Sequence, residues 1–295
     1  MHFQDLLRGA GFDLRDVAVM LHQPSIAGQR GALLSLVNDH PDLFELYQDN
    51  HPKGPEATLK ARKYAASFVV NDQGEARFVG LYRVLRWAYR RYTELAADPH
   101  RTALAGKITG ETISFYDGRE GDGRAVFDLE LLPDFAALKG RLIVPRPAGR
   151  AYVRLAENCS LPITRIEETA RFIPPMPSWD GLVMTAQDIR TIPQPWADKL
   201  SQWRGIYHIV DISDGARYVG SAYGEENILG RWRAHVQRDR GVTVELAKRD
   251  PIHFRFSILE LLAPNAVMED VVGREGSWKE RLATREPHIG GLNKN

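Results

Sequence analysis

Cysteine is nearly absent, Cys159 being the single one in 295 residues. One thiol builds neither a disulfide framework nor a zinc-spaced pair, so disulfide-stapled and zinc-ribbon classes are excluded and a reducing compartment is expected. Long apolar runs are also lacking. The longest early uncharged stretch, Val17 to Gln29, is broken by Pro24 and Gly28 and falls short of the ~20 residues of a membrane span. Asp5, Arg8, Asp13, Arg15 and Asp16 interrupt the opening and leave no apolar signal region, so a cytoplasmic protein with no membrane partner is expected. Charge of one sign is missing too. The 39 Lys and Arg against 38 Asp and Glu give +1, which argues against a mainly electrostatic coat for nucleic acid but leaves room for a local basic groove.

What is present is a globular composition, 43% hydrophobic and 26% charged, over a length that suits two domains of ~100–150 residues. The expected fold class is α+β. Residues 1–173 read as a first domain with a helical leader, in which Asp13 caps a helix carrying Leu14, Val17, Ala18 and Leu21 that ends at Pro24, followed by a second apolar period at Leu33, Leu34 and Val37. Short β-prone runs come next, at Ser67–Val70, Arg77–Val84, Thr112–Tyr116, Ala125–Leu131 and Leu142–Val144, and predict a sheet or small barrel. The glycines of Gly118 to Gly123 lie between two such runs with no helix following, so they read as a hairpin turn rather than a phosphate loop. Five prolines between Pro174 and Pro195, then Trp196, Leu200 and Trp203 at helical spacing, make residues 174–203 a linker or an irregular packed strap with a short helix, before a second domain at 204–295.

In that second domain, Gly205–Val210 and Arg217–Ser221 predict a hairpin turned at Asp214-Gly215, which brings Tyr207 and Tyr218 into one neighbourhood. By themselves two hairpin tyrosines are ordinary cross-strand packing. A helix over Glu225–Val236 aligns Ile228, Trp232 and His235, with Arg231 bordering that stripe; taken alone, Arg231 reads as snorkelling to water and His235 as a satisfied core histidine. Val271, Glu275, Trp278 and Leu282 recur at i, i+4, i+7 and i+11, which sets a carboxylate in the middle of an apolar helix face. Burying that charge alone costs at least several kcal/mol, so Glu275 needs an arginine, hydrogen bonds or a metal ion, with Arg231 and a hard divalent cation the two candidate partners.

Gly205-Ile-Tyr207, Tyr218-Val-Gly-Ser221, Arg231-Trp232 with His235, Ser257-Ile-Leu-Glu260, Arg274-Glu275 with Trp278, and Gly291-Leu-Asn293 follow one another in the order and at the intervals of a known pattern. Together they resemble the GIY-YIG nuclease family. The likeness covers residues 205–295, under a third of the chain, and departs from the pattern between Val236 and His253, where no family element aligns. It implies a three-stranded antiparallel sheet flanked by helices that hydrolyses DNA with one Mg²⁺, for which Mn²⁺ substitutes. Carried over by position, Tyr207 and Tyr218 match the motif tyrosines, Arg231 the helix arginine, His235 a histidine of some restriction-enzyme members, Glu275 the metal ligand and Asn293 the late asparagine. Glu275 would hold the metal against the phosphate and leaving 3′ oxygen, and Arg231 would present a planar fork of donors. Tyr207 is the expected general base with His235 the runner-up, Tyr218 and His235 orient water or phosphate, and Asn293 either donates to phosphate or fixes Tyr207.

DNA, modified or unmodified, is therefore the expected partner, with restriction or phage defence as the setting. A structure-specific repair or mobile-element nuclease and a non-catalytic nucleic-acid-binding protein are the rivals. A duplex break requires either a homodimer or two successive nicks. DNA contacts are expected from Arg233 and Arg238 in the second domain, the latter in a charged loop that includes Arg240. In the first domain they are expected from Arg83, Arg86 and Arg90, which interleave with aromatics in the run Leu81–Tyr92. The same run also suits a strand with a wet edge. Arg77–Val84 within a β-rich domain resembles the compact barrels that read modified nucleobases, which is what suggests modification dependence.

Overall fold

A computed structural model of the chain describes residues 1–24, 27–71, 73–110, 115–116, 122–224, 226–239 and 243–294. They are mixed α and β and divide into two compact units, Met1–Pro174 and Pro175–Asn295. None of the described helices is long and apolar enough to cross a membrane.

In the first unit the strands are β1 (Val17–His22), β2 (Tyr64–Val70), β3 (Glu75–Arg91), β4 (Gly123–Leu131), β5 (Leu142–Pro145), β6 (Val153–Leu155) and β7 (Arg165–Ile166). The helices are α1 (Phe3–Gly9), α2 (Ala27–Asp39), α3 (Pro41–Gln48), α4 (Lys53–Lys60), α5 (Tyr92–Ala96) and α6 (Pro99–Thr109). The strands form one sheet in the order β6-β1-β2-β3-β5-β7, with β4 added along the second half of β3. That path has two ends, so among the described residues the element is a sheet rather than a closed barrel. Only β1 and β2 run parallel.

The helical leader expected through Leu21 is corrected here. Asp13 does cap a turn, accepting from the Arg15 N–H, but that turn is a 3-10 helix of three residues, and Val17–His22 is strand β1. Every residue of β1 is buried. Val17, Val19 and Leu21 pack with Phe3, Leu7, Phe68 and Phe78 on one side, and Ala18 and Met20 pack with Leu59, Ala65 and Phe127 on the other. A strand covered on both faces has no polar alternation to betray it, and its apolar run fits a helical period equally well. The runs at Ser67, Arg77, Ala125 and Leu142 do lie in strands. Residues 112–114 of the expected Thr112–Tyr116 strand, and 118–121 of the expected Gly118–Gly123 turn, lie outside the described residues.

A charged pair is sealed inside this unit. Arg101 on α6, 4% exposed, reaches Asp49 through two hydrogen bonds of 3.0 and 2.6 Å. Burial pushes the Asp49 carboxyl upward and Arg101 works against that push.

The second unit begins earlier than the expected domain start at 204. Of its two readings the proline-rich segment is the packed strap rather than the linker, since it contributes strand β8 (Val183–Thr185) and helices α7 (Ala186–Arg190) and α8 (Gln194–Gln202). Leu182, Met184, Ile189 and Leu200 from it are buried in the core of that unit. Strands β9 (Arg204–Asp211), β10 (Ala216–Ala222) and β11 (Phe254–Leu262) complete a sheet of order β10-β9-β11-β8, four strands rather than the three expected, all antiparallel. Helices α9 (Asn227–Gln237), α10 (Val244–Ala247) and α11 (Met268–Arg281) follow in chain order. The β9–β10 turn contains Gly215 at φ +78°, the left-handed conformation that the Asp-Gly pair leads one to expect. Residue 225 of the expected Glu225–Val236 helix and residues 240–242, with Arg240, lie outside the described residues.

Replacing Arg101 with alanine leaves Asp49 buried without its cation, a change that costs about 3–5 kcal/mol. Urea unfolding of Arg101→Ala beside wild type measures it, and an Arg101→Met, Asp49→Leu double variant should recover most of the loss.

Candidate active site

Register places the two tyrosines. Tyr207 on β9 lies directly opposite Gly220 of β10, and Tyr218 is two residues before Gly220, so all three share one face of the sheet. Gly220 is required there by space. A Cβ on it would stand 2.5 Å from Cζ of Tyr207 and 2.8 Å from Cε1 of Tyr218. The bare backbone lets the Tyr207 ring lie flat across β10 and carry its hydroxyl to α9.

On α9, Ile228, Trp232 and His235 form the expected buried side and bring His235 to the tyrosines. The hydroxyl of Tyr207 is 2.8 Å from Nε2 of His235, and Nε of Arg231 donates to the same hydroxyl at 3.4 Å. The His235 ring lies edge-on to both phenols, its centroid 5.6 Å from Tyr207 and 5.5 Å from Tyr218. Arg231 and His235 are therefore not the snorkelling cation and idle core histidine of the bland reading; both meet one phenolic oxygen. Burial pushes the Tyr207 phenol far above the usual range, helped by Tyr218 and Glu275 and opposed by Arg231. The Tyr218 phenol is raised chiefly by burial, with Glu275 adding to it. Burial, and then the neighbouring Arg231 charge, push His235 down to about 3, so its imidazole is neutral at physiological pH.

Helix α11 covers the opposite face of β9 and β10. Val271, buried, and Trp278 and Leu282, partly buried, pack with Ile206 and Val219, so the face predicted from spacing is the face turned to the sheet. Glu275 in its middle has a partner that neither candidate anticipated. Lys279, one turn on, approaches Oε1 at 2.7 Å, and the hydroxyl of Ser221 on β10 donates to Oε2. Lys279 was legible from i, i+4 spacing. Ser221 belongs to the Tyr218–Ser221 motif and, by strand alternation, faces α11 rather than the tyrosines. Nearby, Trp278 donates to Glu260 at 2.8 Å, and Arg274 stands 3.5 Å from the same carboxylate.

Asn293 takes neither of its expected roles. Its Oδ1 accepts from the Val219 N–H at 2.9 Å and its Nδ2 donates to the Val219 carbonyl at 2.8 Å, which pins the backbone of β10 between Tyr218 and Gly220. It is a positioning residue. Arg233 and Arg238 sit on or just after α9 and face carboxylates, Glu226 at 3.4 Å and Asp250 at 3.9 Å. In the first unit Arg83 and Arg86 lie on the exposed half of β3 but cross to Glu130 and Asp128 of β4 at 3.1 and 3.0 Å, while Arg90 is exposed nearby. Four of the five arginines expected to touch DNA thus already have a carboxylate neighbour.

Among the described residues no three His, Cys, Asp or Glu side chains gather as a metal cluster. A single carboxylate is nonetheless compatible with Mg²⁺, which keeps several waters and binds through one or two carboxylates plus substrate phosphate. Glu275 already faces an ammonium ion at Oε1, so the position accommodates positive charge.

Two outcomes follow from this geometry. Gly220→Ala should destabilise the second unit by about 1–3 kcal/mol, as overpacking does, and calorimetry will register it. The unfolded chain binds a proton at His235 near pH 6.5 whereas the folded chain resists until about 3, so stability is intact above 6.5 and falls as pH drops. Between pH 7 and 5 this one imidazole accounts for a loss of about 2 kcal/mol, and His235→Phe should remove that share of the slope in urea titrations at the two pH values. Comparison with protein-family models, with curated proteins and with solved structures returned no match, so the chemistry of this cluster is read from its own geometry.

Proposed function

We propose that the second unit is a metal-dependent endonuclease module of the GIY-YIG kind, hydrolysing DNA phosphodiester bonds, with restriction or defence as its setting. One observation carries the reading. A buried phenolic oxygen, Tyr207 Oη, is joined at once to a guanidinium and an imidazole beside a glycine that a larger residue could not replace. Core packing alone does not call for two polar groups converging on the oxygen of a third, because each loses hydration on burial. The Glu275 carboxylate also influences both phenols.

Arg231 meets Tyr207 through Nε and also reaches the Tyr218 hydroxyl, and it presents its guanidinium plane to a non-bridging phosphate oxygen. Tyr207 is the base toward water. Its Oη takes the water proton while its own proton passes to Nε2 of His235, 2.8 Å away. Burial first, and Arg231 second, hold the imidazole at about 3, and it accepts that proton when negative charge arrives beside it. The entering phosphate supplies that charge, so the pair is poised by substrate. The Tyr218 hydroxyl, on the same sheet face, orients the water. Glu275 would hold Mg²⁺ or Mn²⁺, and such an ion, when bound, neutralises charge on the scissile phosphate and the leaving 3′ oxygen. Ser221 fixes the Glu275 carboxylate from β10, and Asn293 fixes β10 itself.

The test is nicking of supercoiled plasmid, modified and unmodified, with Mg²⁺ present, alongside flap and bubble substrates. Glu275→Ala, Tyr207→Phe and Arg231→Ala should each lower the rate by about 10²–10³-fold, the range for loss of one transition-state contact, with melting temperatures checked in parallel. Preference for flaps or bubbles would move the protein to repair or mobile-element chemistry. If wild type cuts none of these substrates at any protein excess, the nuclease reading is overturned.

A further inference from the structure

The first unit contains a cavity of about 320 Å³ that the chemistry above does not use. Flat rings line it, among them His22, Tyr47, His51, Tyr116 and Tyr152, with Arg124 the single charged side chain in its lining among the described residues. The two histidines are 2% exposed. Gln48 holds the His22 ring, and the hydroxyl of Tyr152 stands 2.9 Å from Nδ1 of His51. Nε2 of each is buried with no hydrogen-bond partner. Burial holds His22 at about 3 and His51 at about 4, so both are neutral near pH 7.

A buried polar atom left unpaired costs free energy unless something arrives to pair it. Two orphaned imidazole nitrogens among aromatic walls call for an uncharged, flat molecule with hydrogen-bonding groups on its edge. A metal ion fits poorly, because catalytic and structural sites take three or four ligands and no third His, Cys, Asp or Glu joins these two among the described residues. A compact anion such as a carboxylate would be met by Arg124 but would leave the aromatic walls unused. Arg124 adds one cation, its guanidinium carbon 5.9 Å from the Tyr116 ring centroid. The volume lies at the small end of ligand pockets.

We infer that this cavity of the first unit binds a nucleobase, with Arg124 meeting the attached phosphate. Aromatic walls take the faces of the base, and the imidazole rings, whose Nε2 atoms are closed off in the free protein, turn to its edge, the mode by which a base extruded from a duplex is recognised. Free nucleotides present the same chemistry as an extruded base. The inference stands on residues of the first unit and holds whether or not the second unit cuts DNA.

Binding to the full chain is measured in EDTA, so that cleavage does not enter. One arm titrates the four deoxynucleoside 5′-monophosphates and those of C5-methylcytosine and N6-methyladenine, following the imidazole C–H resonances. The other compares, by anisotropy, a duplex with one central mismatch, which eases extrusion, one with a modified base at that position, and one with an abasic site there. Saturable shifts of His22 and His51 with a monophosphate assign the pocket to free nucleotides. At least about tenfold tighter binding of a base-bearing duplex than of the abasic one, with no monophosphate binding, assigns it to a base within DNA. In either case His51→Phe should weaken the preferred ligand about tenfold, the scale of one lost hydrogen bond, and Arg124→Gln should weaken a monophosphate more than its nucleoside. Arg124 is half-buried and lies outside the core, which makes its variant the safer test of a folded protein. No monophosphate shift together with equal affinity for all three duplexes overturns the inference.

Discussion

One phenolic oxygen organises the second unit. Tyr207 is fully buried, yet its hydroxyl meets Arg231 and His235 from the same helix, one turn apart. Each of the three would be costly to bury alone, and together they satisfy part of one another's hydrogen-bonding demand. The arrangement requires β10 to lie close beneath the ring, which only an unsubstituted Gly220 permits, and requires β10 to be held there, which the Asn293 amide does from the far side. The tyrosines, the glycine and the late asparagine are one mechanical assembly.

A second polarity lies across the sheet. Glu275, Ser221 and Lys279 sit on the α11 side of β10, while the tyrosines face α9. A phosphate reached by both groups must therefore approach the rim of the sheet at its β10 side. Lys279 keeps Glu275 neutralised in the free protein, so any cation that uses this carboxylate competes with an ammonium ion already 2.7 Å from it.

Much of this was legible in the sequence, and the failures have physical causes. The Asp-Gly turn, the α9 stripe and the buried face of α11 follow from local rules of spacing and backbone freedom, and local rules are what a sequence displays directly. Strand β1 was misread because burial on both faces removes the polar alternation that marks a strand. Strand β8 was hidden by its proline-rich surroundings: its three residues pair only with β11, some seventy positions later, and that pairing has no local signature. Lys279 stands at i, i+4 from Glu275, a spacing that exposed helix pairs share, so its burial beside the carboxylate has no local mark. The arginines of β3 were correctly seen as exposed, but their cross-strand carboxylates depend on register. His22, closing an apolar run, and His51 beside a proline gave only the faintest sign of the cavity they line.

The chain segment after α11 returns alongside β10. Arg217 donates to Gly290 and accepts from Leu292, while Val219 is held by Asn293. The outward backbone groups of Arg217 and Val219 are thus occupied, which shortens the ladder that this border of the sheet offers to an incoming strand. At the opposite border stands β8, only three residues long. Two copies of this unit therefore have little means of fusing their sheets into one continuous ribbon, and any twofold assembly must be built from side chains on helices and loops.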